Sequence, residues 1–326
     1  MRRLPLLLAL ILSFTFTGNR AAAQQSSAPP APSAPADITK LFDYDAKLPL
    51  DIKENRVYTR PGGIKIIDLT YASPVQGRVT AFLVLPEGKG PFAGILFGHW
   101  GPGNRTEFLS ESELYARAGA VSLLIDYPWT RPAEWRRPIP NYAKPEVDLP
   151  IYAQAVVDLR RGFDLLVARA DVDAKRIAYV GHSYGAQWGA ILTAIDRRMK
   201  TSILVGGVPT AASVWLHDMT EYSAEEKEQA TRYVAVFEPF DAIHFIPRST
   251  GIPVLFQFAN FEPHFDRKDM DEYFQAAGEP KDEKWYDTGH ELMNMHVVLD
   301  RGRWLREQIG IEPIAPLMEQ ALKNEK

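Results

Sequence analysis

The sequence contains no cysteine. Disulfides, thiolate metal sites and a cysteine nucleophile are all excluded by that absence. It also lacks an excess of positive charge. Residues 1–23 hold three arginines and no acid; without them, 34 basic residues face 41 acidic ones, a net charge of −7. That balance argues against nucleic acid or an anionic membrane as a partner. The apolar run near the start, Leu4 to about Phe16, is too short for a good membrane span of about 20 residues. It follows Arg2 and Arg3 and precedes Ala21-Ala22-Ala23, the pattern of a secretory signal peptide cut after Ala23. Export to the periplasm or the medium is expected, with no stable membrane insertion after cleavage. No cysteine follows the cut, so no lipid anchor can form there.

Residues 24–37 are rich in Pro, Ala and Ser. They show no apolar periodicity and read as a linker that cannot bury a core. The folded domain is expected over 38–326, about 285 residues, which is within reach of one α/β domain. Short apolar runs mark strands at 64–70, 79–85, 92–98, 120–126, 177–181, 202–207, 253–259 and 284–287. Helical spacing marks 107–118, 151–168, 184–196, 269–277 and 291–308. Such alternation predicts a mostly parallel sheet with helices on both faces, and a ligand site beyond the carboxyl ends of its strands. Two segments exceed ordinary connections, 127–148 and 208–250. Both follow strands. The second is a possible cap insertion.

Gly181-His182-Ser183-Tyr184-Gly185 has the form G-x-S-x-G. A strand pattern precedes it and a helix pattern follows, the context a nucleophile elbow requires. The elbow predicts a strained backbone at Ser183 and places its hydroxyl at a helix N-terminus, where an oxyanion is favoured. A serine nucleophile needs a base and an orienting acid, in the chain order Ser, acid, His. His290, after the last strand and expected to open the last long helix, is the candidate base. His296 falls within the helical pattern and reads as a face residue. Glu262 lies closest to the end of strand 253–259 and is the candidate acid, with Asp266 as the alternative. One oxyanion donor should be the N–H of Tyr184. The other should come from Gly98-His99-Trp100-Gly101-Pro102-Gly103-Asn104-Arg105, with Gly101 first and Trp100 second. His99 reads as a brace for that loop, Asp126 as a residue that fixes loops by hydrogen bonding, and His182 as structural.

These residues resemble the α/β-hydrolase superfamily, in particular its dienelactone hydrolase-like and prolyl oligopeptidase-like branch. The likeness is clearest over "VVDLRRGFDLLVARADVDAKRIAYVGHSYGAQWGAILTAIDRRMKTSILVGG". "GPFAGILFGHWG" is similar to the oxyanion loop of the family. "PVLFQFANFEPHF" and "WYDTGHEL" are similar to its acid and histidine segments. The likeness spans roughly residues 55–310. This chain reads His-Trp-Gly where the family has His-Gly, and Ala259-Asn260-Phe261-Glu262 where Gly-x-x-Asp is usual. Dienelactone hydrolases proper use cysteine; serine at this position implies ester hydrolysis in general, by acyl transfer with no metal or organic cofactor.

The expected substrate is a small-molecule or polysaccharide-borne ester. Trp129, Trp135, Tyr142, Trp215, Tyr222, Tyr233 and Phe240, on the two long loops, either meet substrate or anchor the loops in the core. A small-peptide hydrolase and a non-catalytic binding protein on the same scaffold are the competing readings. The prolyl oligopeptidase-like role usually depends on an N-terminal propeller, for which this chain has no room.

Overall fold

The apolar runs become the strands of one nine-stranded sheet, in a computed structural model that describes residues 38–324. The expected signal peptide and linker, 1–37, lie outside the described residues. The strands are β1 (Lys53–Thr59), β2 (Lys65–Ala72), β3 (Arg78–Leu85), β4 (Phe92–Gly98), β5 (Ala120–Ile125), β6 (Val172–His182), β7 (Thr201–Val205), β8 (Val254–Ala259) and β9 (Lys281–Tyr286). The helices are α1 (Leu109–Arg117), α2 (Leu149–Val167), α3 (Tyr184–Ile195), α4 (Ala211–Trp215), α5 (Ala224–Phe237), α6 (Arg267–Ala276), α7 (Met295–Ile309) and α8 (Ile314–Asn324). Among the described residues, no helix is long and apolar enough to cross a membrane.

Every residue of β5, β7 and β8 is buried, as continuous apolar runs in strands covered on both faces require. The order is β1-β2-β3-β5-β4-β6-β7-β8-β9. From β5 to β9 all pairings are parallel. The first strands form an antiparallel meander that joins β5. Leu159 and Phe163 of α2 and Trp188 and Ile191 of α3 pack in one core. Tyr115 of α1 and Leu305 and Ile309 of α7 pack in a second.

The chain leaves β4 through α1 to reach β5 on one side, then returns through α2 to β6 on the other side. The sheet therefore reverses its winding between β4 and β6. A crevice opens beyond the carboxyl ends of strands at such a point. The oxyanion-loop candidates follow β4, and Ser183 follows β6.

The elements differ from the sequence pattern in several places, among them α4 and α5, which no helical spacing in 208–250 marked, and β6, which begins at Val172. Strand β1, KENRVYT, is almost wholly exposed at the sheet edge, so no apolar alternation marks it. Helix α8 was not expected either. The last long helix begins at Met295, not at His290, because Asn294 caps it by accepting the Val297 N–H at 3.1 Å. His290 consequently stands in the loop before the helix.

Segment 127–148 is riveted to the body of the protein by a fully buried ion pair. Arg131 Nη2 lies 2.5 Å from Asp158 Oδ2, on α2, and both side chains are wholly buried. Ser73, in the β2–β3 turn, donates to the other oxygen of Asp158 at 2.6 Å. Burial pushes the Asp158 carboxyl up, and the Arg131 guanidinium opposes that push. Removing one member leaves the other charge buried and unpaired, which costs about 3–5 kcal/mol. Asp158→Ala should lower unfolding stability by that order in urea titrations. The double replacement Arg131→Met with Asp158→Leu should recover most of the loss, since two apolar groups leave no orphan charge.

Candidate active site

The turn from β6 to α3 puts Ser183 at φ 54°, ψ −111°, a backbone state that costs a non-glycine residue about 1–3 kcal/mol. Its neighbours hold it there. Ser183 N–H donates to the Val205 carbonyl at 2.8 Å, and its own carbonyl accepts from Ala186 and Gln187. The glycines on either side allow the turn. A Cβ on Gly185 would sit 2.2 Å from the Gly98 carbonyl oxygen; one on Gly181 would sit 2.3 Å from that of Gly185. Neither position admits a side chain.

Tyr184 is the first residue of α3, so its N–H has no partner within the helix. Among the described residues, no hydrogen bond is made by this N–H or by that of Gly101. The loop after β4 is arranged around His99. Nδ1 of His99 lies 2.6 Å from the Trp100 carbonyl oxygen. A carbonyl only accepts, so Nδ1 carries the proton. Nε2 in turn accepts the Tyr127 N–H at 3.2 Å. The ring is therefore neutral, in one tautomer. Burial pushes its pKa down to about 3, in keeping with that state. In a trans peptide the N–H points opposite the carbonyl. Holding the Trp100 carbonyl thus aims the Gly101 N–H. The Gly101 carbonyl is held by the Trp129 indole N–H at 2.7 Å, and Gly185 N–H donates to the His99 carbonyl at 3.1 Å. Asp126 accepts the Arg105 N–H at 2.8 Å and so fixes the far end of the loop.

Trp100 is removed from the donor candidates. Its N–H donates to Glu107 Oε2 at 2.7 Å, so it is spent on holding the loop. Nothing in the sequence pattern sets Glu107 apart from a solvated acid at the start of the 107–118 helical pattern; the helix itself begins at Leu109.

His290 and Glu262 meet. Nδ1 of His290 lies 2.7 Å from Glu262 Oε2, and the Glu262 side chain is only 2% exposed. The second carboxylate oxygen accepts the His264 N–H at 3.0 Å. Asp266 is occupied otherwise, as the N-cap of α6, with its N–H on the Asp269 carboxylate at 3.1 Å. His296 is exposed on α7. The rings of His264 and Phe265 stand edge-on to His290.

Ser183 and His290 open on one cavity of about 360 Å³. Among the described residues, no direct hydrogen bond joins the two side chains. Trp100, Trp129, Tyr142 and Trp215 form much of its wall, so both long segments contribute. Tyr233 and Phe240 are instead buried as anchors of segment 208–250. Trp135 packs against Gly77, and Tyr222 is exposed. Among the described residues, no group of three or more His, Asp or Glu side chains is placed to hold a metal ion.

The neutral His99 makes stability depend on pH. Below its ordinary value near 6.5, the unfolded chain takes up a proton that the folded chain does not. Stability should therefore fall as pH drops from about 6.5 towards about 3, by up to ~1.4 kcal/mol per pH unit. Urea midpoints measured across that window should decline less steeply for His99→Gln than for the parent protein.

No protein-family model matches the chain, and no curated protein matches it in sequence. Solved structures do match it in shape. An acetyl xylan esterase from Paenibacillus sp. R4 is 23% identical, with a TM-score of 0.69, over 86% of this chain and 96% of that one. Acetyl xylan esterase 1 from Thermoanaerobacterium sp. JW/SL YS485 is 15% identical, with a TM-score of 0.70, over 85% and 95%. The glucuronoyl esterase of Solibacter usitatus is 14% identical, with a TM-score of 0.57, over 79% and 85%. With a mostly parallel sheet that reverses between β4 and β6, and an elbow at the end of β6, the chain has the α/β-hydrolase fold.

Proposed function

We propose that this protein is an exported serine hydrolase that cleaves carboxylic esters through Ser183, His290 and Glu262. The observation that carries the reading is the buried Glu262 carboxylate on Nδ1 of His290, at the cavity where the strained Ser183 also opens. The carboxylate fixes the Nδ1–H tautomer and leaves the Nε2 lone pair free to act as base. Ser183 Oγ attacks the ester carbonyl carbon, and His290 takes its proton. The Gly101 and Tyr184 N–H groups, which no acceptor among the described residues engages, receive the developing oxyanion. Collapse expels the alcohol, which takes the proton back from His290. Water then repeats the sequence on the acyl-enzyme. Glu262 stabilises the imidazolium formed in each half.

The substrate is a small-molecule or polysaccharide-borne ester. Trp100 and Tyr142 are each 41% exposed at the cavity, and such rings offer flat apolar faces to a sugar or an acyl chain. The names of the similar structures, acetyl xylan and glucuronoyl esterases, accord with that class. Residues 1–23 act as the signal peptide, 24–37 as a linker and 38–326 as the hydrolase domain. Segment 208–250 acts as a cap over the cavity, supported by Val208, Val214 and Trp215 in the cavity wall.

Ser183→Ala should lower kcat on p-nitrophenyl acetate by at least about 10³-fold and abolish labelling by a serine-directed phosphonate. Wild-type turnover in that variant would overturn the nucleophile. Glu262→Gln should lower kcat by a factor of order 10⁴ with KM little changed, while Asp266→Asn should leave kcat close to the parent value. The reverse pattern would move the acid to Asp266.

A further inference from the structure

Glu107 stands in the turn ahead of α1, and its two oxygens face opposite halves of the site. Oε2 takes the Trp100 N–H of the oxyanion loop. Oε1 lies 2.5 Å from Nδ1 of His182. The other ring nitrogen of His182, Nε2, lies 2.8 Å from the backbone carbonyl oxygen of His290. A carbonyl has no proton to give, so Nε2 must carry one. The contact with Glu107 needs another, on Nδ1 or on the carboxyl. The pair therefore holds one proton more than an ionised glutamate beside a neutral histidine. The Glu107 and His182 side chains are only 10% and 6% exposed. A cavity of about 270 Å³ beside them, lined also by Glu111, Glu291 and Arg301, gives solvent protons a route to the pair. Arg301 Nε is 2.9 Å from Glu111 Oε1, and the ring of His290 is 5.1 Å from that of His182. The buried hydroxyls of Tyr127 and Tyr179 also lie within reach of the Glu107 charge.

We propose that Glu107 and His182 are positioning residues, a protonated clamp that ties the His290 loop to the oxyanion loop. The proposal rests on the reading of Ser183 and His290 as the reacting groups. With its extra proton the clamp makes three hydrogen bonds, to the Trp100 N–H, within the pair, and to the His290 carbonyl. Without it, two lone pairs face each other, either at the Glu107–His182 contact or at the His290 carbonyl. One bond is lost, and the base and the oxyanion donors are no longer fixed against each other. The consequence is an alkaline fall in kcat while the protein stays folded.

Because His182 is almost buried, the test is made at Glu107. Glu107→Gln can donate its amide N–H to Nδ1 of a neutral His182 and accept the Trp100 N–H with its amide oxygen. All three bonds then survive without a titrating proton. Glu107→Ala breaks the clamp at every pH. The expected result is an alkaline limb in kcat for the parent protein that is absent in Glu107→Gln. Glu107→Ala should lose kcat on the order of 10²-fold with KM little changed, and Glu107→Gln should rescue most of that loss. Nitrogen-15 spectra of the parent protein should show both His182 ring nitrogens protonated at the activity plateau, and one proton lost through the alkaline limb. An alkaline limb unchanged in Glu107→Gln would overturn the proposal, as would a bare His182 ring nitrogen at the plateau in the parent. Full activity of Ser183→Ala would instead sink the nucleophile reading, and the His182 spectra would still judge the clamp.

Discussion

The site depends on how closely two pieces of backbone approach. The end of β4 and the start of α3 meet at Gly98 and Gly185, where even a methyl group would collide with a carbonyl oxygen. The Tyr179 hydroxyl donates to the Gly185 carbonyl at 2.7 Å and sits where a side chain on Gly98 would go. This crossing brings the loop after β4 against the turn after β6. Without it, the Gly101 and Tyr184 N–H groups would not border the same cavity, and the strained φ of Ser183 would have nothing to hold it. The reversal of sheet winding provides the crevice, and the glycines let it close to hydrogen-bonding distance.

Two histidines frame that crossing with different partners. His99 is neutral because one of its nitrogens faces a carbonyl and the other faces an N–H. His182 faces a carboxylate and a carbonyl, both acceptors. What each ring can do follows from what its two nitrogens meet, not from the residue type. One aims the Gly101 peptide and the other steadies the loop that carries His290. The same chemical group thus performs two kinds of backbone orientation a few residues from Ser183.

Much of this was legible in the sequence, for physical reasons that can be named. Buried strands such as β5, β7 and β8 leave apolar runs that no other element of that length needs. Ser183, Tyr184, Gly101, Glu262 and His290 could be singled out because the elbow constrains backbone shape, and backbone shape constrains which residues stand nearby. Strand β1 was missed because an edge strand of exposed polar residues buries too little to leave a pattern. The start of α7 was misjudged because the cap at Asn294, not apolar spacing, decides it. The sequence ranks Gly101 ahead of Trp100 but does not exclude either. What separates them is a hydrogen bond to Glu107, a residue seven positions on whose meaning exists only in three dimensions. Choosing Glu262 over Asp266 rested on nearness to the strand end, and the structure puts the former on His290 and the latter on a helix cap.

The buried Arg131–Asp158 pair bears on more than stability. Segment 127–148 supplies Trp129, whose indole holds the Gly101 carbonyl, and Tyr142, which lines the cavity. The part of the wall next to Arg131, Trp129 included, cannot swing aside without disturbing that wholly buried charge pair. The cavity is therefore preset in shape around Trp129, whose indole also holds the Gly101 carbonyl. A molecule entering on this side then meets walls already in place, which lowers the ordering cost of binding.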